Sequence, residues 1–393
     1  MKILLLADGR SIHTKRYQHE LKRQGIEVVL ASLEDGDTVD IHLKRRIGVN
    51  FLDYMLIASQ IRQLVKEINP DIVNPHFASG YGYSVALSGA WQIKPVALHC
   101  LGSDILISPG KSFLHKMRVI YALKRAGRII VDSEYLAQRT RKLRGEVHLD
   151  IIPWGIEEDV LNIFSKRKYK ILKRPLQVSV EKPYKCAVRN PFLTEFRRER
   201  LPTAQGLRLF QQALQVIVPR PHNHVYNNRF ILESIGELIL SRQISLTFPA
   251  WGDNYERFRK FAADKFPQGG VYFYKYLTRL EYIKFLAGFD IYLSAALSDS
   301  SPVSLLEAMA AGLFPIISDI PGNREWVSEN NAILFNPMDC NSLYQSMKRI
   351  IGNSIEIEQI LFKNHQKIKE KAILSNNIRQ MIVIMQNMVK HAE

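Results

Sequence analysis

Short apolar runs alternate with amphipathic stretches of helical period along most of this chain, and the alternation occurs twice. In the first 155 residues, strand-like runs fall at 2–7, 27–31, 72–75, 96–100, 128–131 and 147–152, with helical patterns at 14–24, 80–91 and 112–125 between them. Parallel strands need a long crossover between them, usually a helix, so this alternation argues for a parallel sheet. Parallel strands in turn need helices on both faces. Residues 214–350 repeat the design, with strands expected at 214–218, 245–250, 271–273, 291–294, 315–318 and, more weakly, 332–335. Helices are expected there at 229–241, 253–264, 278–287, 302–311 and 340–351, and 355–391 reads as two more.

The expected class is therefore α/β, with two doubly wound Rossmann-like domains facing a cleft and C-terminal helices. Ligands in such sheets bind beyond the carboxyl ends of the strands. The expected division is 1–156 for the N-terminal domain, 157–213 for a basic linker or insertion, and 214–374 for the C-terminal domain. A last helix at 375–393 is expected to pack back on the N-terminal domain. The stretch 157–213 fits neither pattern: it carries Pro175, Pro183, Pro191 and Pro202, and proline is excluded from helix interiors and central strands.

The 393 residues carry a formal charge of +16. Residues 1–155 hold 22 Lys+Arg against 15 Asp+Glu, and 156–208 hold 13 against 6, so the excess lies in the first half and in one short middle stretch. Such a field favours anionic partners. Cys100, Cys186 and Cys340 are few, odd in number and lack metal or disulfide spacing, which points to a reducing cytoplasm. The opening apolar run, Ile3 to Ala7, is too short for a signal peptide or a bilayer span and reads as a buried first strand.

One stretch carries chemistry. Residues 300–312 read "SSPVSLLEAMAAG" directly after Asp299, so Asp299 and Glu307 stand on either side of a helix start. Ser301 suits the N-cap, Pro302 the first helical position and Gly312 the stop, with Leu305, Leu306, Met309 and Ala310 facing the core. The first-turn amides of Val303 and Ser304 can bind an anion. Ionised carboxylates accept hydroxyl hydrogen bonds, so Glu307 suits a ribose diol. A phosphate cradle flanked by two acids matches a nucleotide sugar. Taken alone, the same residues also read as a solvated helix edge and a turn.

Asp299 with the following "SSPVSLLEAMAAGLFPIISDIPGNREWV" (300–327) resembles the signature of retaining glycosyltransferase family 4, of the GT-B fold and the bacterial surface-polysaccharide type. That signature is Glu-x7-Glu, with the second acid in "LLEAMA-G-PVI-S"; Glu307 matches it and Asp299 stands at the first acid, one methylene shorter. "SIHTKRYQHELKRQGIEVVLAS", "DIVNPHFASGYG", "LGSDIL" and "IIPWGI" resemble further family segments in the family's order.

The resemblance implies that Glu307 holds the donor ribose, that Asp299 contacts the donor sugar, and that Val303, Ser304 and Leu305 bind phosphate through their backbone. Arg220 would neutralise the diphosphate. Ser300 belongs with the donor-binding set, Gly252 would let the chain approach the nucleotide, and Tyr276 and Leu277 would lie by the base. A second cation common in the family is replaced by Tyr226, with Arg229 and Lys275 as substitutes, and Pro302 stands for a common Gly. The family's strand histidine aligns with Leu101, and His99, two residues earlier, either takes that role or is a core residue.

On the acceptor side, His13, His76, Ser103 and Asp104 fall at expected strand ends. "EDGD", with Asp35 and Asp37, reads as a loop, and no metal site or cofactor is expected. Residues 111–128 place Lys111, Lys116, Arg118, Lys124, Arg125 and Arg128 among bulky apolar residues. They suit either a helix on an anionic membrane, together with 157–213, or a core-facing helix with a solvated basic side. The expected activity is metal-independent, retaining transfer of a sugar from a nucleotide sugar to a glycan, lipid-linked or other hydroxyl acceptor, with polyprenyl-linked sugars among the candidates. The alternatives are a sugar-nucleotide epimerase or a catalytically silent relative. No nucleic-acid partner is expected, and the location is the cytoplasm, peripheral to the inner face of the membrane.

Overall fold

The computed structural model describes residues 1–45, 47–48, 50–166, 193–194, 213–352 and 357–392. The chain divides into two compact units, Met1–Gly155 with Ile373–Glu393, and Ile156–Ala372.

In the first unit, β1 (Lys2–Leu6), β2 (Glu27–Ser32), β3 (Ile41–His42) and β4 (Ile72–Pro75) lie in the order β3-β2-β1-β4. β5 (Ala97–His99), β6 (Arg128–Val131) and β7 (Leu149–Ile151) follow as β5-β6-β7. Two parallel bridges, Val73↔Val96 and His76↔His99, join β4 to β5, so every pairing in the unit is parallel. Ile3, Leu4, Leu5 and Leu6 are all fully buried, as a central parallel strand covered on both faces requires.

The second unit is one sheet, in which β8 (Leu193–Thr194) is followed by β9 (Leu214–Ile217), β10 (Ile244–Pro249), β11 (Val271–Tyr274), β12 (Ile291–Ser294), β13 (Phe314–Ser318) and β14 (Ile333–Phe335). Their order is β14-β13-β12-β9-β10-β11-β8, parallel except for β8, which pairs antiparallel with β11. In both units the winding reverses beside the first parallel strand, between β1 and β4 and between β9 and β12. That reversal is the switch point at which doubly wound sheets open a crevice.

Every expected strand exists, with ends shifted by no more than a few residues. The expected helix at 80–91 is instead broken into a π-type turn, Phe77–Gly82, a helix, Tyr83–Ser88, and a short 3-10 turn, Ala90–Gln92. Gly89, with φ +68°, ends the middle piece in the left-handed conformation that glycine adopts without strain. Residues 157–166, expected in the linker, instead enter the second unit as a 3-10 turn and the helix Leu161–Lys166, burying Val160 and Ile163 in its core. The four prolines that argue for a linker all lie further on, and 167–192 and 195–212 fall outside the described residues.

The helix Ile357–Lys371 packs on the second unit, where His365 Nδ1 lies 2.8 Å from the Ala310 carbonyl. The last helix, Leu374–Lys390, belongs to the first unit, where Asn377 donates to the Pro153 carbonyl at 2.9 Å and Gln24 to that of Ser375 at 2.8 Å. Among the described residues no helix is long and apolar enough to cross a membrane.

Candidate functional site

The switch point of the second unit gathers most of the expected donor-side residues. Arg220 follows β9 and Asp299 follows β12, the two strands flanking the reversal, and their side chains form an ion pair between Arg220 Nη2 and Asp299 Oδ2. Arg220 Nη1 donates to Ser304 Oγ at 3.1 Å, and Ser304 Oγ in turn lies 3.1 Å from the Tyr292 hydroxyl. The Tyr226 ring lies 4.2 Å from the guanidinium carbon. In the place of a second cation, the chain thus sets an aromatic face that holds the first one. Arg229, one candidate substitute, instead pairs with Glu233 at 2.7 Å and lies over Phe261, beside a cavity of about 350 Å³ between two helices.

Burial pushes the Arg220 guanidinium down, but the Asp299 carboxylate outweighs it and raises the pKa, so Arg220 stays charged. The Asp299 loop is clamped from both sides: Asp299 Oδ1 accepts from the Ser300 amide at 3.0 Å, and Gly322 packs against the Asp299 carbonyl. A Cβ on Gly322 would come within 2.2 Å of that carbonyl oxygen.

The helix Val303–Ala311 begins one residue later than expected. Its N-cap is Pro302, in extended backbone (φ −73°, ψ 101°), not Ser301. The Ser301 hydroxyl is turned instead to Trp326, accepting from its Nε1 at 3.0 Å. The Leu305 amide already donates to the Pro302 carbonyl at 2.9 Å, which removes Leu305 from the expected phosphate cradle. The amides of Val303 and Ser304 precede the first intrahelical bond and have no carbonyl partner within the helix.

Glu307 lies on the same helix, buried and ion-paired: Arg279 Nη1 donates to Glu307 Oε1 at 2.7 Å. Arg279 also reaches Glu157 at 2.9 Å and Asp159 at 3.2 Å. Gly252, with φ +119°, does make a close approach, but to protein: a Cβ there would lie 2.3 Å from the His222 amide nitrogen. Tyr276 is exposed and Leu277 half-buried, both in the loop between β11 and the helix Arg279–Leu286.

In the first unit, His76 and His99 follow or end β4 and β5 and are both buried. Asn74 Nδ2 donates to the Ala97 carbonyl at 2.6 Å and lies 3.1 Å from His99 Nδ1, while Asn74 Oδ1 accepts from Tyr17 at 3.1 Å. His99 Nδ1 also lies 3.1 Å from His76 Nε2. Burial lowers His99 to about 3 and His76 well below its ordinary value, so both rings are neutral at pH 7. His13 lies 6.1 Å from the Trp154 ring, which also packs on both buried histidines. Ser103 is exposed at a short helix start. Asp104 is fully buried and accepts from the amides of Ala78 at 2.7 Å and Leu101 at 3.0 Å, so it braces two loops and does not present itself to an acceptor.

Sequence reasoning missed Arg279, Ser304 as a side-chain bridge, Tyr292, and Tyr226 as a cation partner. Their partners lie 28, 84, 12 and six positions away along the chain, and only the folded sheet and helices bring them together.

Residues 2–133 match the family model described as Glycosyl transferase 4-like, and residues 214–353 match that described as Glycosyl transferases group 1. No curated protein matches the sequence. Among solved structures, a glycosyltransferase from Rickettsia africae superposes with a TM-score of 0.72 at 14% identity, covering 99% of this chain and 98% of its own. Alr3699/HepE of Anabaena in complex with UDP-glucose gives 0.72 at 14%, covering 98% and 100%. Sucrose-phosphate synthase from Thermosynechococcus elongatus gives 0.74 at 13%, covering 100% of both. The fold is GT-B, and the chain carries the two glycosyltransferase domains of that fold in their order.

Proposed function

We propose that this GT-B glycosyltransferase chain is a retaining, metal-independent enzyme. It transfers a sugar from a nucleoside-diphosphate sugar to a glycan or polyprenyl-linked hydroxyl acceptor in surface-polysaccharide synthesis. One observation carries the reading: a charged, buried Arg220 and the first-turn amides of Val303–Ala311 converge at the switch point of a doubly wound sheet. The Anabaena structure holds UDP-glucose on the same fold.

In the reaction, the bond from the anomeric carbon to the diphosphate oxygen breaks and charge grows on the diphosphate. A guanidinium has five N–H donors, of which Asp299 and Ser304 engage two, so Arg220 keeps donors for that charge. Donors fixed before the reaction need no reorganisation when the charge appears. The acceptor oxygen attacks the same face of the sugar, and its proton passes to the leaving phosphate oxygen. Asp299 holds Arg220 in aim, and Glu307 takes the ribose hydroxyls.

Thermal shifts against UDP-, GDP-, ADP- and TDP-sugars, each with magnesium and with a chelator, test the donor class. Stabilisation by one nucleotide series in chelator is the expected result; dependence on magnesium sinks the metal-independent reading. Conversion of donor without any acceptor would make the chain an epimerase. Glu307→Ala is expected to weaken donor binding about ten- to a hundredfold, the loss of hydrogen bonds to a charged acceptor. Calorimetric titration of the best nucleoside diphosphate checks it, and unchanged affinity would remove Glu307 from the site.

Membrane contact belongs to the same proposal, with cytoplasmic placement at the inner membrane face. The helix Phe113–Arg125 leaves Phe113, Leu114 and Met117 exposed at 74%, 65% and 45%, beside the exposed Lys111 and Lys116. Arg118 is not part of that surface: it is buried, donates to the Ser79 carbonyl at 2.9 Å and lies over Tyr83. Apolar tips flanked by lysines fit an anionic lipid surface, each lysine adding about 1 kcal/mol. The double variant F113S/L114S is expected to lower sedimentation with phosphatidylglycerol vesicles several-fold, while phosphatidylcholine vesicles bind little of either protein. Equal binding to both lipids would exclude the charged part of this reading.

A further inference from the structure

Arg279 is the first residue of the helix Arg279–Leu286, where the helix dipole disfavours a cation. The helix start has its own capping box, Thr278 with Glu281, and does not need the arginine. What holds Arg279 is a set of three carboxylates from two segments, Glu157 and Asp159 on one 3-10 turn and Glu307 on the helix Val303–Ala311. Nη1 bonds Glu307 Oε1 at 2.7 Å, and Nη2 reaches Glu157 Oε2 at 2.9 Å and Asp159 Oδ1 at 3.2 Å.

A buried carboxylate among apolar neighbours needs a cation or donors to stay ionised. Glu307 is flanked by Leu306 and Ala308, both fully buried, and Arg279 is its ion-pair partner. The bond is one-pronged. It occupies Oε1 and leaves Oε2 without a hydrogen bond among the described residues. A carboxylate gripped at one oxygen has its plane fixed and its other oxygen set in one direction. Glu157 and Asp159 hold the guanidinium in turn, both through Nη2.

We infer that Arg279 is the positioning residue for Glu307: it fixes one carboxylate oxygen so that the other meets the 2′- and 3′-hydroxyls of the bound nucleotide, with Glu157 and Asp159 as its anchors. The inference rests on the proposed role of Glu307 at the donor ribose. Arg279 is therefore a determinant of ribose over deoxyribose, though it does not touch the sugar. Lysine replaces it poorly, because a single ammonium cannot span three carboxylates in that fork geometry.

The test uses the full chain and calorimetric titration with UDP, GDP and ADP, each beside its 2′-deoxy form, taking the base that binds best. The readout is the ratio of ribo to deoxy affinity. Wild type is expected to favour ribose about tenfold, the loss of one hydrogen bond to a charged acceptor. Glu307→Ala brings the ratio to about one, and so does Arg279→Met, with deoxy affinity within about threefold of wild type. Arg279→Lys recovers part of the ratio, and E157Q/D159N, which removes the anchors and keeps Arg279, lowers it partway. A general fold defect would weaken both nucleotides together and leave the ratio unmoved, so a preserved ratio in Arg279→Met overturns the inference. If Glu307→Ala also keeps the ratio, or no diphosphate binds wild type, the reading beneath fails instead. Should Arg279→Met not fold, an unchanged ratio in E157Q/D159N and in Arg279→Lys overturns the inference on its own.

Discussion

Arg220→Ala is expected to lower kcat about 10²–10³-fold, the loss seen when one preorganised donor to developing negative charge is removed. The reason is geometric. Arg220 is locked by the Asp299 carboxylate, the Ser304 hydroxyl and the Tyr226 ring before any ligand arrives. Its donors gain most when the bond to the diphosphate breaks, so the effect belongs on kcat and only in part on KM. Arg220→Lys keeps the charge but loses the second prong and the guanidinium contact over the Tyr226 ring, and is expected to recover only part of the activity. Asp299→Asn frees the guanidinium and removes its neutralising partner; diphosphate binding is expected to hold or tighten while turnover falls. Steady-state kinetics on the purified proteins check this, with unfolding curves beside them. Truncating one partner of a buried pair can itself cost about 3–5 kcal/mol, less here because Asp299 is partly exposed. An Arg220→Ala enzyme that folds and keeps wild-type turnover would remove the diphosphate role.

The second large effect is acid destabilisation of the first unit. His99 is held at about 3 by burial and His76 well below its ordinary value, whereas both would titrate near 6.5 in the unfolded chain. Below pH about 6.5 the unfolded state binds protons that the folded state refuses. The stability these two rings contribute is complete above that pH and falls as the pH drops, at up to about 1.4 kcal/mol per pH unit for each ring. Asp104 acts in the opposite sense. Burial raises it to about 6, so the folded state takes its proton first and offsets about one histidine between pH 6 and 4. The net expectation is a loss of about 1–1.5 kcal/mol per pH unit between about pH 6.5 and 4, which over two units is a large fraction of a domain's stability. His222, lowered to about 4 by burial despite its bond to the Pro249 carbonyl, adds the same trend to the second unit. Urea unfolding of wild type and His99→Gln at pH 7 and pH 5 checks it. The variant starts less stable, and its stability depends less on pH. Parallel curves for the two proteins would show that His99 is not the titrating group.

Much of the architecture is legible locally because its signals are local. β12 and β13 are apolar up to a final serine, and β9 and β10 are apolar but for Gln215, Ser245 and Thr247, as strands covered on both faces largely are. The site is legible in part for the same reason. Asp299, Arg220 and Glu307 sit at strand ends and in the first turns of one helix, and a strand–loop–helix unit places such positions by its own geometry. The expected N-cap at Ser301 fails because Ser–Pro is a sound local signal, whereas the competing bond from Trp326 comes from 25 residues away.

By itself the sequence determined two doubly wound units, the place of the switch-point loops, and the acids and arginine those loops carry. Only the tertiary structure decided which charges meet. It paired Arg220 with Asp299 over the face of Tyr226, gave Glu307 to Arg279 and not to solvent, and buried His76, His99 and Asp104. The physical reason is that an apolar period is a property of neighbouring residues, whereas a buried charge is stable only where a partner from a distant segment reaches it, and no local pattern records that partner.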